Sequence, residues 1–233
     1  MIYVISDLHG CLDEYLAMLE KIKFSDEDTL YIIGDIVDRG PHPIGILEHV
    51  LAHKNIILMR GNHELMMTQR LCLLDEKGQF RPDLDEDEFK KANNWVYRNK
   101  GITTVTEWFA LPEDKRREYF EFLDNLPGYL ELSMGGKDYI LVHGGFRDFD
   151  ISKRLDEYDT YGLVWERIKL DSHYYPGKIT ISGHTPTANY GEAYLGKMIL
   201  MEDKILIDCG CVYGSSLGCL CLDTMEEFYI ERL

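Results

Sequence analysis

The stretch Tyr31–Gly40, YIIGDIVDRG, decides how the rest of the chain is read. Tyr31, Ile32 and Ile33 continue an apolar run of strand type, which then delivers Asp35, Asp38 and Arg39 within five residues. A buried strand that ends in two acids and a base marks either a polar turn or a site. The flanking sequence supplies the context. Apolar runs at 2–5 and 55–59 stand on either side of the one at 29–34, with helical patterns between them. Leu12, Leu16, Leu19 and Ile22 mark the first helix, and Ile44, Leu47, Val50 and Leu51, after Pro41 and Pro43, mark the second. This βαβαβ opening predicts an α/β fold with parallel pairing and right-handed crossovers.

Further strand candidates lie at 138–142, 178–182, 194–201, 204–208, 217–222 and 226–230. The middle of the chain differs. Residues 76–88 are acidic and poor in large apolar groups, and helical patterns then resume through NNWVYRN, TTVTEWF and KRREYFEFLDNL as far as Pro127. The segment from about 66 to 127 is expected to be a helical insertion on a single domain spanning 1–233. No internal repeat interrupts this plan.

Composition limits the function. At 233 residues and 45% hydrophobic content the chain can bury a sizeable core. Lys and Arg number 25 against 41 Asp and Glu, a net charge of −16 that repels a phosphate backbone, so duplex nucleic acid is an unexpected partner. The first residues, MIYVI, run straight into a polar motif, and no span of about 18 apolar residues occurs. A cytoplasmic protein without a membrane partner is expected. The six cysteines include the pairs CGC at 209–211 and CLC at 219–221, whose spacing suits reduced core thiols of a paired hairpin better than zinc ligands.

The question raised by Asp35 recurs elsewhere. VISDLHG places Asp7 and His9 after the first strand, LMRGNHE places Asn62 and His63 after the third, and ILVHGG and TISGHTP place His143 and His184 after two later ones. Polar groups that emerge after five apolar runs collect where the carboxyl ends of a sheet form a crevice. Carboxylate, amide oxygen and imidazole are a mixed oxygen and nitrogen set suited to manganese, iron or zinc. Asp7 and His9 would hold one divalent ion, and Asn62, His143 and His184 a second, with the Asp35 carboxylate bridging the two.

The ordered set DLHG, GDIVDRGP, RGNHE, VHGG and GHTP resembles the calcineurin-like metallophosphoesterases, and within them the Ser/Thr protein phosphatase-like branch that also holds the bacterial diadenosine tetraphosphatases. The blocks span residues 7–186. The resemblance implies a β-sandwich flanked by helices, two divalent metal ions with manganese foremost, and a hydrolase. By position, His63 matches the general acid and Asp38 the carboxylate that orients it. Arg39 matches a phosphate-binding arginine, Asn62 also faces the phosphate, and Arg167 in LVWERI resembles a second such arginine. Pro43 and the NKG at 99–101 depart from the common pattern without touching a ligand.

The expected activity is that of a Ser/Thr protein phosphatase acting through a water activated by the dinuclear centre, on a phosphoprotein or a small phosphate-containing substrate. Hydrolysis of dinucleoside tetraphosphates is the alternative, with Trp95, Tyr97, Trp108 and Tyr190 as candidate base-stacking rings. A non-catalytic phosphate-binding scaffold is disfavoured because His63 and Asp35 are both present. A nuclease is disfavoured by the acidic balance. His42, His49, His53 and His173 lack motif context and are expected at the surface, and Arg60 divides between a phosphate contact and a structural role.

Overall fold

The alternation of side chains along two sets of strands builds the architecture, which the computed structural model describes for residues 1–233. In order, the elements are β1 (Ile2–Ile5), α1 (Leu12–Lys21), β2 (Thr29–Ile32), α2 (Pro43–Ala52), β3 (Ile56–Leu58), α3 (Asn62–Arg70), α4 (Glu86–Asn93), α5 (Ile102–Ala110) and α6 (Glu113–Asp124). There follow β4 (Tyr129–Met134), β5 (Lys137–Val142), α7 (Thr160–Trp165), β6 (Lys178–Ser182), β7 (Ile199–Leu200), β8 (Lys204–Leu206), β9 (Ser216–Cys221) and β10 (Glu227–Glu231). One sheet runs β10-β9-β1-β2-β3 and the other β4-β5-β6-β8-β7. As the opening pattern predicts, β1, β2 and β3 pair in parallel, Ile2 opposite Thr29 and Leu30 opposite Ile56.

Successive side chains on a strand point to opposite faces, so each sheet serves two cores. Val4 faces inward with Ile33, Tyr139, Leu141, Ile181 and Leu220, filling the space between the sheets. Its neighbours Tyr3 and Ile5 face outward into a larger core made with the helices, which includes Tyr15, Leu47, Trp95 and Trp108. On the second sheet Ile140 and Val142 turn the other way, onto Phe146, Tyr158 and Leu163. A sandwich flanked by helices results. No helix is long and apolar enough to cross a membrane.

Several local expectations differ from the structure. Strand β4 was hidden because YLELSM is an edge strand that half-exposes its face, with Glu131 and Ser133 to solvent. The run 194–201 is mostly not a strand. A 3-10 turn at Glu192–Tyr194 and a left-handed Gly196 interrupt it, leaving only Ile199–Leu200 to pair with β8. The cysteines form no hairpin. Cys209 and Cys211 lie in the connection from β8 to β9, which belong to different sheets, while Cys219 and Cys221 lie on β9; all six are free thiols. In α1, Leu16 faces solvent and Glu14 is buried with Tyr15 and Met18. The buried acid is accepted because Arg232 and the Leu233 amide, from the far end of the chain, meet its carboxylate.

Candidate metal centre

The polar turns after β1, β2 and β3 in the first sheet and after β5 and β6 in the second converge at one end of the sandwich. Five strand ends meet as the sequence implies, but they come from two facing sheets. Backbone bonds stitch the first two turns together, His9 N donating to Asp35 O at 2.8 Å and Gly10 N to Ile36 O at 2.9 Å. At Gly34, φ is +75° and a Cβ would lie 2.5 Å from the Gly61 Cα, so only glycine lets the turns after β2 and β3 touch.

Strain marks the same region. Six of the ten non-glycine residues with positive φ are Asp7, His9, Asp35, Asp38, Arg39 and His184. Left-handed backbone costs an ordinary residue about 1–2 kcal/mol, and such outliers gather where geometry serves function. Glu64 holds the strained turn. Its buried carboxylate accepts the amides of Asp35 and Gly61 through Oε2, both at 2.8 Å, and those of Ile36 at 2.8 Å and Val37 at 3.3 Å through Oε1. Burial, then the nearby Asp35 charge, pushes the Glu64 carboxyl up to about 7.

The candidate ligands surround the Asp35 carboxylate. Its Oδ2 lies 3.4 Å from His143 Nε2, 3.5 Å from His9 Nε2 and 4.0 Å from His63 Nε2. The Asn62 side-chain oxygen contacts His143 Nε2 at 3.0 Å and His184 Nδ1 at 2.8 Å. Asp7 Oδ1 lies 4.0 Å from His9 Nε2, while its Oδ2 accepts the Ser6 hydroxyl and the His184 amide. The other ring nitrogens of two of these histidines face backbone carbonyls: His9 Nδ1 meets Val37 O at 2.9 Å and His143 Nδ1 meets Ile33 O at 2.7 Å. That contact aims each Nε2 inward. Two groups, His9 with Asp35 and His63, and Asp35 with His143 and His184, each bring one donor atom per residue within 4.8 Å of the others.

The electrostatics suit a cation. Burial pushes Asp35 upward, but His143 and then His63 outweigh it, and its carboxyl lies well below the usual range. Burial lowers His143, yet Asp35 lifts it to about 10. His184 is lowered to about 3 by burial and by His143, and His9 is lowered well below its ordinary value by burial and His63. The neutral imidazoles of His9 and His184 offer the lone pairs a metal takes, and the Asp35 charge that favours a proton on His143 would favour a cation in its place. His184 Nε2 is buried without any partner, and the Arg39 guanidinium contacts both His9 Nε2 and His63 Nε2. Imidazole nitrogens converging with carboxylate and amide oxygens, and a guanidinium drawn onto two of those nitrogens, fit divalent ions held by oxygen and nitrogen.

Beside this cluster His63 and Asp38 are fully buried, His63 Nδ1 lying 2.6 Å from Asp38 Oδ2. The segment between β3 and β4 supplies the rest of the cradle, as Trp95 Nε1 donates to Asp38 Oδ2 at 2.9 Å and Thr104 Oγ1 to Asp38 Oδ1 at 2.6 Å. Trp95 sits on a π-helical turn, Asn94–Arg98. A cavity of about 420 Å³ opens onto the centre, lined by Arg39, Asn62, Trp165, Arg167, His184 and Tyr213 among others.

The candidate ligands, the acid with its orienting carboxylate and the two phosphate-binding arginines are gathered here: Asp7, His9, Asp35, Asn62, His143 and His184 in the cluster, His63 and Asp38 beside it, and Arg39 and Arg167 on the cavity wall. Arg60 turns away, donating to the carbonyls of Leu123 and Asp124 at the end of α6. The proposed base-stacking rings do not line the cavity: Trp95 and Trp108 are buried, Tyr97 is exposed elsewhere, and Tyr190 bonds Ile168 O. Trp165 and Tyr213 line it instead. Glu64, Thr104 and Tyr213 were missed by sequence reasoning. Only the acid in RGNHE, adjoining two motif residues, carried a readable signal.

Comparison with known proteins places the chain in a family. Residues 1–208 match the model of the calcineurin-like phosphoesterases. An asymmetrical bis(5'-nucleosyl)-tetraphosphatase of Halalkalibacterium halodurans is 25% identical, over 96% of this chain and 90% of the relative. A symmetrical bis(5'-nucleosyl)-tetraphosphatase of Salmonella paratyphi B is 35% identical over 101 residues, 41% of this chain and 36% of the relative. Among solved structures, a candidate diadenosine tetraphosphatase superposes with a TM-score of 0.67 at 16% identity, covering 100% of this chain and 93% of that one. A protein serine/threonine phosphatase of Saccharomyces cerevisiae does so with 0.58 at 15% identity, covering 100% and 80%. From its matched stretch, this chain belongs to the calcineurin-like phosphoesterase family and is a hydrolase.

Proposed function

We propose that the enzyme hydrolyses the phosphate chain of dinucleoside polyphosphates, bis(5'-nucleosyl) tetraphosphates foremost, with two bound divalent ions. The cavity carries the reading. Its volume of about 420 Å³ falls among small-molecule pockets, and one opening combines the guanidinium groups of Arg39 and Arg167, the rings of Trp165 and Tyr213 and the amides of Asn99 and Asn189. A polyphosphate linking two nucleosides uses all of these, cations along the chain and rings and amides at a base. A phosphoseryl side chain uses only the cations. The full-length likeness to a bis(5'-nucleosyl)-tetraphosphatase adds support. The expected Ser/Thr protein phosphatase remains the second reading, favoured by an open rim where Leu195 is 60% and Tyr213 is 62% exposed.

In this reading Asp7, His9 and Asp35 hold one ion, and Asp35, Asn62, His143 and His184 the other. Bound there, the ions would supply Lewis-acid polarisation of the phosphate and a more acidic water. Manganese is proposed, with iron and zinc as alternatives, because the donors are oxygen and nitrogen without sulfur. Arg39 and Arg167 grip phosphate oxygens, and the Asn62 amide reaches another. His63, fixed through Nδ1 by Asp38, gives the leaving oxygen its proton from Nε2. A cytoplasmic setting goes with the reading, since all six cysteines are free thiols.

The test compares kcat/KM on diadenosine tetraphosphate and on a phosphopeptide at one Mn²⁺ concentration. A preference of about a hundredfold for the dinucleotide, near 2.7 kcal/mol of discrimination, is expected. Equal efficiencies, or a preference for the peptide, would transfer the assignment to the protein phosphatase.

A further inference from the structure

Outside the catalytic cluster, one other group of donor atoms is buried together. Cys11 follows the His9–Gly10 turn, Glu14 lies in the first turn of α1, and Cys211 begins the short 3-10 helix Cys211–Tyr213. One donor atom from each lies within 4.8 Å of the other two, although Cys211 is two hundred residues from Cys11 in sequence. The three side chains are 0%, 1% and 2% exposed in that order. Both thiols are free. Glu14 Oε1 accepts Arg232 and the Leu233 amide, but Oε2 is buried with no hydrogen-bond partner. Packing explains two thiols in a core, and Arg232 explains one carboxylate oxygen. Neither explains why the second oxygen is left unpaired, which ordinarily costs about 1–3 kcal/mol.

We propose that Cys11, Glu14 and Cys211 form a separate binding site for one thiophilic divalent ion, zinc foremost. Two thiolates and a carboxylate are a zinc-type donor set, quite unlike the sulfur-free catalytic cluster. Charge also balances. As the ion enters, each thiol gives a proton to solvent, so two positive charges replace two protons and the net charge of the buried site is unchanged. The remaining charge on Glu14 is already paired with Arg232. Three protein donors leave one tetrahedral position for water.

The site joins three segments distant in sequence. It would fasten the start of α1, which follows the His9 turn, and the last residues of the chain to the helix that carries Tyr213. That helix lies between Gly210 and Gly214, both left-handed at φ +78° and +86°, and Tyr213 forms part of the cavity wall. Occupancy therefore sets the position of a substrate-facing ring from outside the catalytic cluster, and its kinetic effect falls on KM more than on kcat.

The experiment titrates reduced, Mn²⁺-loaded full-length protein with Cd²⁺ and follows the sulfur-to-cadmium charge-transfer absorption. Cadmium that replaces catalytic Mn²⁺ finds no sulfur in the cluster and does not contribute. Saturation at one equivalent is expected, with the band bleached by Zn²⁺, abolished in Cys11→Ser/Cys211→Ser, and kept in Cys209→Ser, the substitution of a cysteine among the residues that line the cavity. Glu14→Gln, which keeps both thiols, should retain the band with Cd²⁺ affinity at least tenfold weaker. A band absent from the wild type, a band surviving the double substitution, or an unchanged affinity in Glu14→Gln would overturn the site.

Discussion

Replacing Asp38 by Asn tests its pairing with His63, the Asp38–His63 dyad, with almost no change of shape. Oδ2 of the buried carboxylate receives His63 Nδ1 at 2.6 Å and Trp95 Nε1 at 2.9 Å, and Oδ1 receives the Thr104 hydroxyl at 2.6 Å. An asparagine with its carbonyl in the Oδ2 position keeps both nitrogen donors. Its amide then faces Thr104 Oγ1, which already takes the residue 38 backbone N–H at 2.8 Å and has a second lone pair to offer. The charge is lost and the geometry is kept. The bond holding His63 falls from charge-assisted, about 1.5–3 kcal/mol, to neutral, about 0.5–1.5 kcal/mol. A loss of about 1–2 kcal/mol follows, roughly five- to thirtyfold in kcat wherever the leaving oxygen must be protonated. The assay compares kcat on diadenosine tetraphosphate and on an alkyl phosphate with kcat on a nitrophenyl phosphate, whose leaving group hardly needs the proton. Bound metal is counted in parallel. An equal drop on all substrates, or loss of metal from the variant, would refute the argument that Asp38 acts through the imidazole of His63.

Glu64→Gln sets an amide donor against backbone N–H groups that the carboxylate now satisfies; an unpaired or clashing buried donor should cost about 1–3 kcal/mol, read as a Tm lowered by several degrees, and an unchanged Tm would remove Glu64 from its role in the turn. Chelation should abolish turnover of an aryl phosphate and lower Tm together, with Mn²⁺ restoring both, because His9, Asp35, Asn62 and His143 are buried around one another; activity after verified metal removal would exclude a dinuclear mechanism.

The sequence alone determined the parallel opening and the set of candidate ligands. Strand periodicity and the order of the motifs are local properties, and each candidate ligand follows directly on an apolar run, so Asp7, His9, Asp35, Asn62, His143 and His184 could be identified without knowing how the sheets face. The dyad residues Asp38 and His63, and Arg39, came within reach because they stand beside those ligands. Residues that act through contacts distant in sequence remained hidden. Trp95 looked like a base-stacking ring, yet its indole bonds Asp38, 57 positions earlier in the chain. Thr104 had no motif, and Tyr213 faces the cavity only because the connection between the two sheets brings it there. Helical spacing turned Leu16 inward in place of Glu14, since periodicity counts apolar side chains and has no information about Arg232 and the chain end that make a buried acid tolerable. The tertiary structure decided which side chains meet across two sheets, and with that the shape of the substrate cavity, because burial and pairing depend on neighbours that no sequence window contains.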